Sequence, residues 1–307
     1  MDKIFTHPII RGTPHQTLLP QGTALVLEGG GTRGFYTAGV FEAFMDEGVM
    51  FPYIVGVSAG AANALTYVAG QRGRNRLIVE HYVADPRYVS KRNLLRHRSL
   101  FGYDFIFKTI PEEHLFFDHE NFGATDIRFL AGATDCETGE AVWFEKDTLA
   151  PGFEAVIASC SVPLIAKIVD YQGRKLVDGG VASPIPIEKS VADGNTFHVI
   201  VLTRNAGYEK PEFKYRRTLK AFYKKYPRLM DVILRRHEIY GRQIALCEQL
   251  EREGKAIIIR PLKPLAVDRS ATDTAKLLAL YDEGHEEGRA AMAVLRQHFS
   301  GNQRELK

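Results

Sequence analysis

Three short stretches hold residue types that could carry out acyl transfer. Gly56-Val57-Ser58-Ala59-Gly60 sets a serine between two glycines, where the apolar run Tyr53-Ile54-Val55 gives way to an alanine-rich segment. A serine hydroxyl is a weak nucleophile unless a tight strand-to-helix turn exposes it, and only small neighbours let the two elements approach that closely. Ser58 is therefore the candidate nucleophile, with Gly56 and Gly60 as its close-packing supports. Gly29-Gly30-Gly31, followed by Thr32-Arg33-Gly34, offers backbone N–H groups that no Cβ screens, suited to the oxygen that becomes negative in a tetrahedral intermediate. Asp178 ends a short apolar run, and Gly179 and Gly180 after it leave the carboxylate room to face another loop. An aspartate with an ordinary pKa of about 3.9 is a weak base, so it can deprotonate a serine only in a dry site that raises its basicity.

Positioning these residues requires strands that end where the loops begin. Ala24-Leu25-Val26-Leu27 reads as a buried strand before the glycine loop, and Gly34 to Glu47 follows it with apolar residues at helical spacing. Ile54-Val55 is a second strand, and Ala59 to Ala69 a helix whose alanines suit tight packing on a sheet. Two such units within fifty residues predict an α/β fold with a mainly parallel central sheet flanked by helices. Further strand signals stand at 127–130, 141–144, 175–177 and 198–202, with a hairpin turn at Gly139 and short helices over 153–161 and up to Ala192. The spacing predicts helix over 210–253, a strand near 256–260, and a charged amphipathic helix over 273–298. The expected division is an N-terminal arm (1–23), a main domain (24–205) and a mostly helical C-terminal extension (206–307) that lends its strand to the main sheet. The basic and aromatic stretch from Asp85 to Glu120 reads as an insertion rather than core.

The glycine loop, the serine turn and Asp178-Gly179-Gly180 stand in the order of the patatin-like phospholipases, and Ala158-Ser159 with Pro163 resembles a further segment of that family. The likeness spans roughly Ala24 to Leu202 and is nearest to the bacterial, single-domain members. It implies a Ser58–Asp178 dyad without histidine, an oxyanion hole from Gly29, Gly30 and Gly31 with Arg33 nearby, and hydrolysis of lipid acyl esters without metal or cofactor.

Each motif also has a plainer reading. Gly29-x-Gly31-x-x-Gly34 after a strand matches the dinucleotide fingerprint, which would make the chain a nucleotide-binding protein. That reading needs an acidic residue at the end of the next strand, and here that strand ends in Gly56-Val57-Ser58. Asp178 alone is a turn residue, Ser58 alone a small packing residue, and the set could persist in a lipid-binding module without chemistry. His198, at the entry of an apolar strand, reads as a core histidine.

Lysines and arginines number 40 against 37 acids, too even a balance to imply a nucleic-acid partner. Cys136, Cys160 and Cys247 lack metal-ligand or disulfide spacing. With neither a secretory signal nor an apolar run of about 18 residues, the expected location is cytoplasmic. The stretch 214–242 carries ten basic residues against Asp231 and Glu238, interleaved with Phe222, Tyr223 and Tyr226. It and the stretch 87–107 are expected to border the substrate entrance and to favour peripheral contact with anionic membrane.

Overall fold

The computed structural model describes residues 5–13, 17–149 and 152–302; Pro14 and His15 of the N-terminal arm lie outside the described residues. In chain order the strands are β1 (Thr17–Leu18), β2 (Thr23–Leu27), β3 (Val49–Met50), β4 (Tyr53–Val57), β5 (Arg128–Asp135), β6 (Ala141–Glu145), β7 (Val169–Tyr171), β8 (Arg174–Asp178), β9 (Phe197–Val201) and β10 (Ala256–Ile259). The helices are α1 (Phe35–Asp46), α2 (Ala59–Val68), α3 (Arg74–His81), α4 (Lys91–His97), α5 (His119–Ala124), α6 (Glu154–Cys160), α7 (Ile187–Ala192), α8 (Arg216–Tyr223), α9 (Pro227–Arg252) and α10 (Thr274–Asn302).

β10, β9, β2, β4 and β5 pair in that order, all in parallel. β2, β4 and β9 are buried at every position because helices cover both faces, which is why they read as unbroken apolar runs. Beyond β5 the sheet turns antiparallel through β6, β8 and β7. β10 forms the edge next to β9, so the C-terminal region completes the sheet. α10 lies along α1, where the Tyr281 hydroxyl donates to Glu42 at 2.8 Å.

Two local expectations change. The stretch 85–120 belongs to the core: Tyr88, Phe105, Phe107 and Phe117 are buried in the same cluster as Ile54 and Phe129. Its cations made it look like an insertion, but Lys91, Arg92 and Arg96 stay on the outside while the rings turn inward. Residues 105–114 form a widened helix containing Pro111, closed by Leu115 N–H donating to the Ile110 carbonyl at 2.7 Å. The helix expected over 210–253 starts only at Arg216 and breaks at Lys224–Tyr226, ahead of Pro227 at the start of α9.

Candidate active site

Ser58 and Asp178, 120 positions apart, meet through the edge of one strand. Gly132 of β5 pairs with Val57 of β4 and with Trp143 of β6, while Ala133 pairs with Asp178 of β8 and with Val142 of β6. β6 therefore fills one edge of β5, and β4 and β8 share the other. β4 runs parallel to β5 and β8 antiparallel, so their C-terminal ends converge at adjacent positions, 132 and 133. The residue after β4 and the last residue of β8 are thereby brought face to face. Ser58 Oγ donates to Asp178 Oδ2 at 2.7 Å, and both residues are buried.

The glycines around the pair make this convergence possible. A Cβ on Gly60 would come within 2.8 Å of the Glu28 carbonyl oxygen, and one on Gly179 within 2.0 Å of the Gly132 carbonyl oxygen. Ser58 itself has φ 53° and ψ −130°, a conformation that non-glycine residues avoid and that costs on the order of 1–3 kcal/mol. The surroundings hold it there. Ser58 N–H donates to Ser159 Oγ at 2.8 Å, and that hydroxyl donates in turn to the Gly132 carbonyl at 2.5 Å. Ser159 is the serine of the Ala158-Ser159 segment, and it ties the turn to the middle strand.

Burial raises the Asp178 pKa above the usual carboxylate range. The Arg236 guanidinium, the Ser58 hydroxyl, the Gly180 N–H and Arg269 oppose that rise without cancelling it. Asp178 Oδ1 accepts from Gly180 N–H at 2.8 Å, which leaves Oδ2 to the serine. The geometry thus supplies a carboxylate that is oriented, more basic than in water, and in contact with one hydroxyl.

Of the three loop glycines, Gly29 already donates its N–H to the Pro184 carbonyl at 3.4 Å. Gly30 and Gly31 have no backbone acceptor among the described residues. Gly31 has φ +60° and lines the same pocket as Ser58 and Ala59, the first residue of α2. The N-terminal amides of α2 add a partial positive charge at the same place.

Arg236 is the site residue that sequence reasoning missed, having been counted among the interfacial cations. Its Nε donates to the Gly180 carbonyl, and its charge is the strongest influence favouring the ionised Asp178. The signal was periodicity: Leu229, Ile233, Tyr240, Gln243, Cys247 and Leu250 form the buried stripe of α9, and position 236 falls on it. Two helical turns further on, Gln243 accepts from Ile185 N–H at 2.9 Å and donates to Ser183 Oγ at 3.2 Å. Two polar residues on the inner face of α9 thus clasp the loop that follows Asp178.

Arg33 is half-buried, its Nε without a hydrogen-bond partner among the described residues, and its electrostatic neighbours are Arg204, Glu28, Tyr208 and Arg269 rather than Asp178. Gly34 lies against α2, where Asn63 Nδ2 donates to its carbonyl at 2.9 Å. His198 pairs across the sheet with Ala24, near the start of β2, and contacts Ser190 Oγ at 3.0 Å; burial pushes its pKa down to about 4. An apolar pocket opens from Ser58 between Phe35, Tyr88, Phe101, Tyr103, Phe107 and Val162. Tyr103 fixes its wall by donating to the Cys160 carbonyl at 2.5 Å. Among the described residues no helix is long and apolar enough to cross a membrane.

Residues 226–300 match a domain of unknown function, DUF6363. The uncharacterised protein YjjU of Escherichia coli is 24% identical over 198 residues, 60% of this chain and 52% of its own length. Lysophospholipase NTE1 of Scheffersomyces stipitis is 25% identical over 286 residues, 86% of this chain but 17% of its own length. The chain thus spans about half of the first relative and a small part of the second. VipD from Legionella pneumophila aligns with 97% of this chain and 72% of its own, with a TM-score of 0.45 and 15% identity. The model of the patatin-like phospholipases matches residues 25–190, more than half of the chain and the whole span from the glycine loop through Asp178, and the chain belongs to that family.

Proposed function

We propose that this protein is a serine hydrolase of lipid acyl esters, with Ser58 as nucleophile and Asp178 as the proton carrier. The observation that carries the reading is the 2.7 Å bond from Ser58 Oγ to Asp178 Oδ2, beside the Gly30 and Gly31 amides, which have no backbone acceptor among the described residues. Ser58 Oγ attacks the ester carbonyl carbon as its proton passes to Asp178 Oδ2. The carbonyl oxygen becomes an oxyanion that takes hydrogen bonds from the Gly30 and Gly31 amides and the start of α2; one such donor contributes about 3–4 kcal/mol. Collapse of the intermediate breaks the ester C–O bond, and the leaving alcohol takes the proton from Asp178. Water, deprotonated by the same carboxylate, then releases the fatty acid from Ser58. The apolar pocket beside Ser58 suits an acyl chain, and a relative named as a lysophospholipase supports a lipid as substrate.

A fluorophosphonate probe tests the assignment: labelling of the intact protein that maps to Ser58 and disappears in Ser58→Ala is expected. Labelling elsewhere, or none, overturns it.

Contact with an anionic bilayer belongs to the same reading. Leu95 is 84% exposed, Tyr215 69% and Phe222 67%, each among cations of α4 or α8. Leu100 N–H donates to the Ile165 carbonyl at 2.7 Å, and Leu164 N–H to the Tyr223 hydroxyl at 2.9 Å. These bonds stitch both basic segments to the pocket rim at Phe101 and Val162. The protein is expected to sediment with vesicles that contain phosphatidylglycerol and not with pure phosphatidylcholine, and Leu95→Glu with Phe222→Glu to abolish this. Equal sedimentation with both lipids would remove the bilayer contact.

A further inference from the structure

Beside Asp178 of the candidate dyad five cations converge, none of them in an ion pair with a carboxylate among the described residues. Arg33 comes from the glycine loop, Arg204 and Lys210 from the segment after β9, Arg236 from α9 and Arg269 from the loop before α10. None of them has a carboxylate within ion-pair distance among the described residues, although more than a dozen other cations of the chain do. None of them lines the apolar pocket. Their mutual proximity is written into their environments. Arg33 feels Arg204 and Arg269; Lys210 feels Arg236, Arg33 and Arg204; Arg236 feels Arg269.

The cluster is anchored to the catalytic loop at several points. Thr32 N–H donates to the Arg269 carbonyl at 3.0 Å, directly beside Gly31. Arg236 holds the Gly180 carbonyl. The Arg204 guanidinium lies 4.2 Å from the centre of the Tyr208 ring and Lys210 Nζ 4.9 Å from that of Tyr240, so aromatic faces set both heads. The carboxylates within reach are Glu28 and Asp178. Glu28 accepts from Thr203 N–H at 2.6 Å, and Asp178 from Ser58 and Gly180. Burial first, and then the Arg236, Arg33 and Arg204 guanidinia, push the Lys210 ammonium down to about 7 against the opposing charge of Glu28.

Four guanidinia and the Lys210 amine around two engaged carboxylates leave an excess of positive charge that an anion relieves. Resting on the hydrolase reading, we propose that this cluster is a subsite for a phosphate monoester on the substrate, so that the acyl chain enters the apolar pocket on one side of Ser58 and a dianionic headgroup docks on the other. Guanidinium forks match phosphate oxygens in pairs, and a dianion answers the charge excess better than a monoanion. A headgroup that ends in a quaternary ammonium would carry its positive charge toward the same five cations and be disfavoured. The order of preference is therefore lysophosphatidate-like esters over choline esters of the same acyl chain.

Binding to the Ser58→Ala protein tests the subsite independently of turnover. In calorimetric titration, sn-glycerol 3-phosphate is expected to bind at least about tenfold more tightly than sn-glycero-3-phosphocholine. Arg269→Gln and Lys210→Met, whose side chains make no hydrogen bond among the described residues, are each expected to weaken that binding about tenfold, with the thermal midpoint unchanged. In the protein with Ser58 intact, the ratio of kcat/KM for lysophosphatidate over lysophosphatidylcholine is expected to fall in the same two variants. Equal binding of the two glycerophosphates, or binding indifferent to both variants, overturns the subsite. Inorganic phosphate binding as tightly as glycerol 3-phosphate would mean that the site reads free phosphate, and would overturn its assignment to a headgroup. Glycerol 3-phosphate binding in a protein that no fluorophosphonate labels would support the subsite and sink the hydrolase reading instead, so the two failures are distinct.

Discussion

Ser58→Ala is expected to lower kcat for a short-chain chromogenic ester by between about 10⁴ and 10⁶, the range seen when a catalytic serine is lost. The fold should survive, because the methyl group leaves the Ser58 N–H bond to Ser159 and the packing of Gly60 untouched. A second substitution separates chemistry from strain. Ser58 sits at φ 53°, where glycine is at ease and alanine is not, so Ser58→Gly should be as inactive as Ser58→Ala yet melt at a higher temperature. Relief of about 1 kcal/mol corresponds to roughly 2–4 °C in the midpoint. Residual activity in Ser58→Ala within tenfold of the parent would remove the nucleophile assignment. A midpoint for Ser58→Gly at or below that of Ser58→Ala would show that the turn stores no strain.

Asp178→Asn is expected to lose activity on a similar scale while gaining stability. An amide cannot accept the serine proton, but it can keep both contacts, its oxygen toward Gly180 N–H and its nitrogen toward Ser58 Oγ. Burial lifts the folded-state pKa of Asp178 above its ordinary 3.8. Between the unfolded and folded values the native protein holds the extra proton, so stability falls as the pH rises through that window and stays lower by a fixed amount above it. The asparagine variant lacks this deficit, so its thermal midpoint at neutral pH should exceed that of the parent and the difference should vanish below pH 3.8. For the parent, kcat/KM should rise with pH on an acid limb centred above 3.8, since only the ionised carboxylate takes the proton. An asparagine variant that melts lower at neutral pH would contradict the electrostatic account, and one that keeps full turnover would contradict the mechanism.

Local chemistry made much of this legible in the sequence. β2, β4 and β9 announced themselves because a strand covered on both faces has no polar positions to break its apolar run. The order of the glycine loop, the serine turn and Asp178 was visible because each needs small residues at fixed offsets. The stretch 85–120 misled because its charges and its rings occupy opposite faces, and a linear reading averages the two. Arg236 was hidden in the same way: ten cations over 214–242 look alike in composition, and one of them falls on the buried stripe of α9.

The sequence by itself determined which atoms are available: a hydroxyl on a turn too tight for large neighbours, a carboxylate at a strand end, and amides that no side chain screens. Those are properties of residue type and spacing over a few positions. Only the tertiary structure decided that β4 and β8 share one edge of β5 and end at adjacent positions, which brings residues 58 and 178 within 2.7 Å. Only it decided which loop amides lack a backbone acceptor among the described residues, which arginine faces Asp178, and that five cations from separate segments gather beside it. The reason is physical: strand register and the burial of charge depend on contacts between distant segments, and no local pattern encodes where those segments meet.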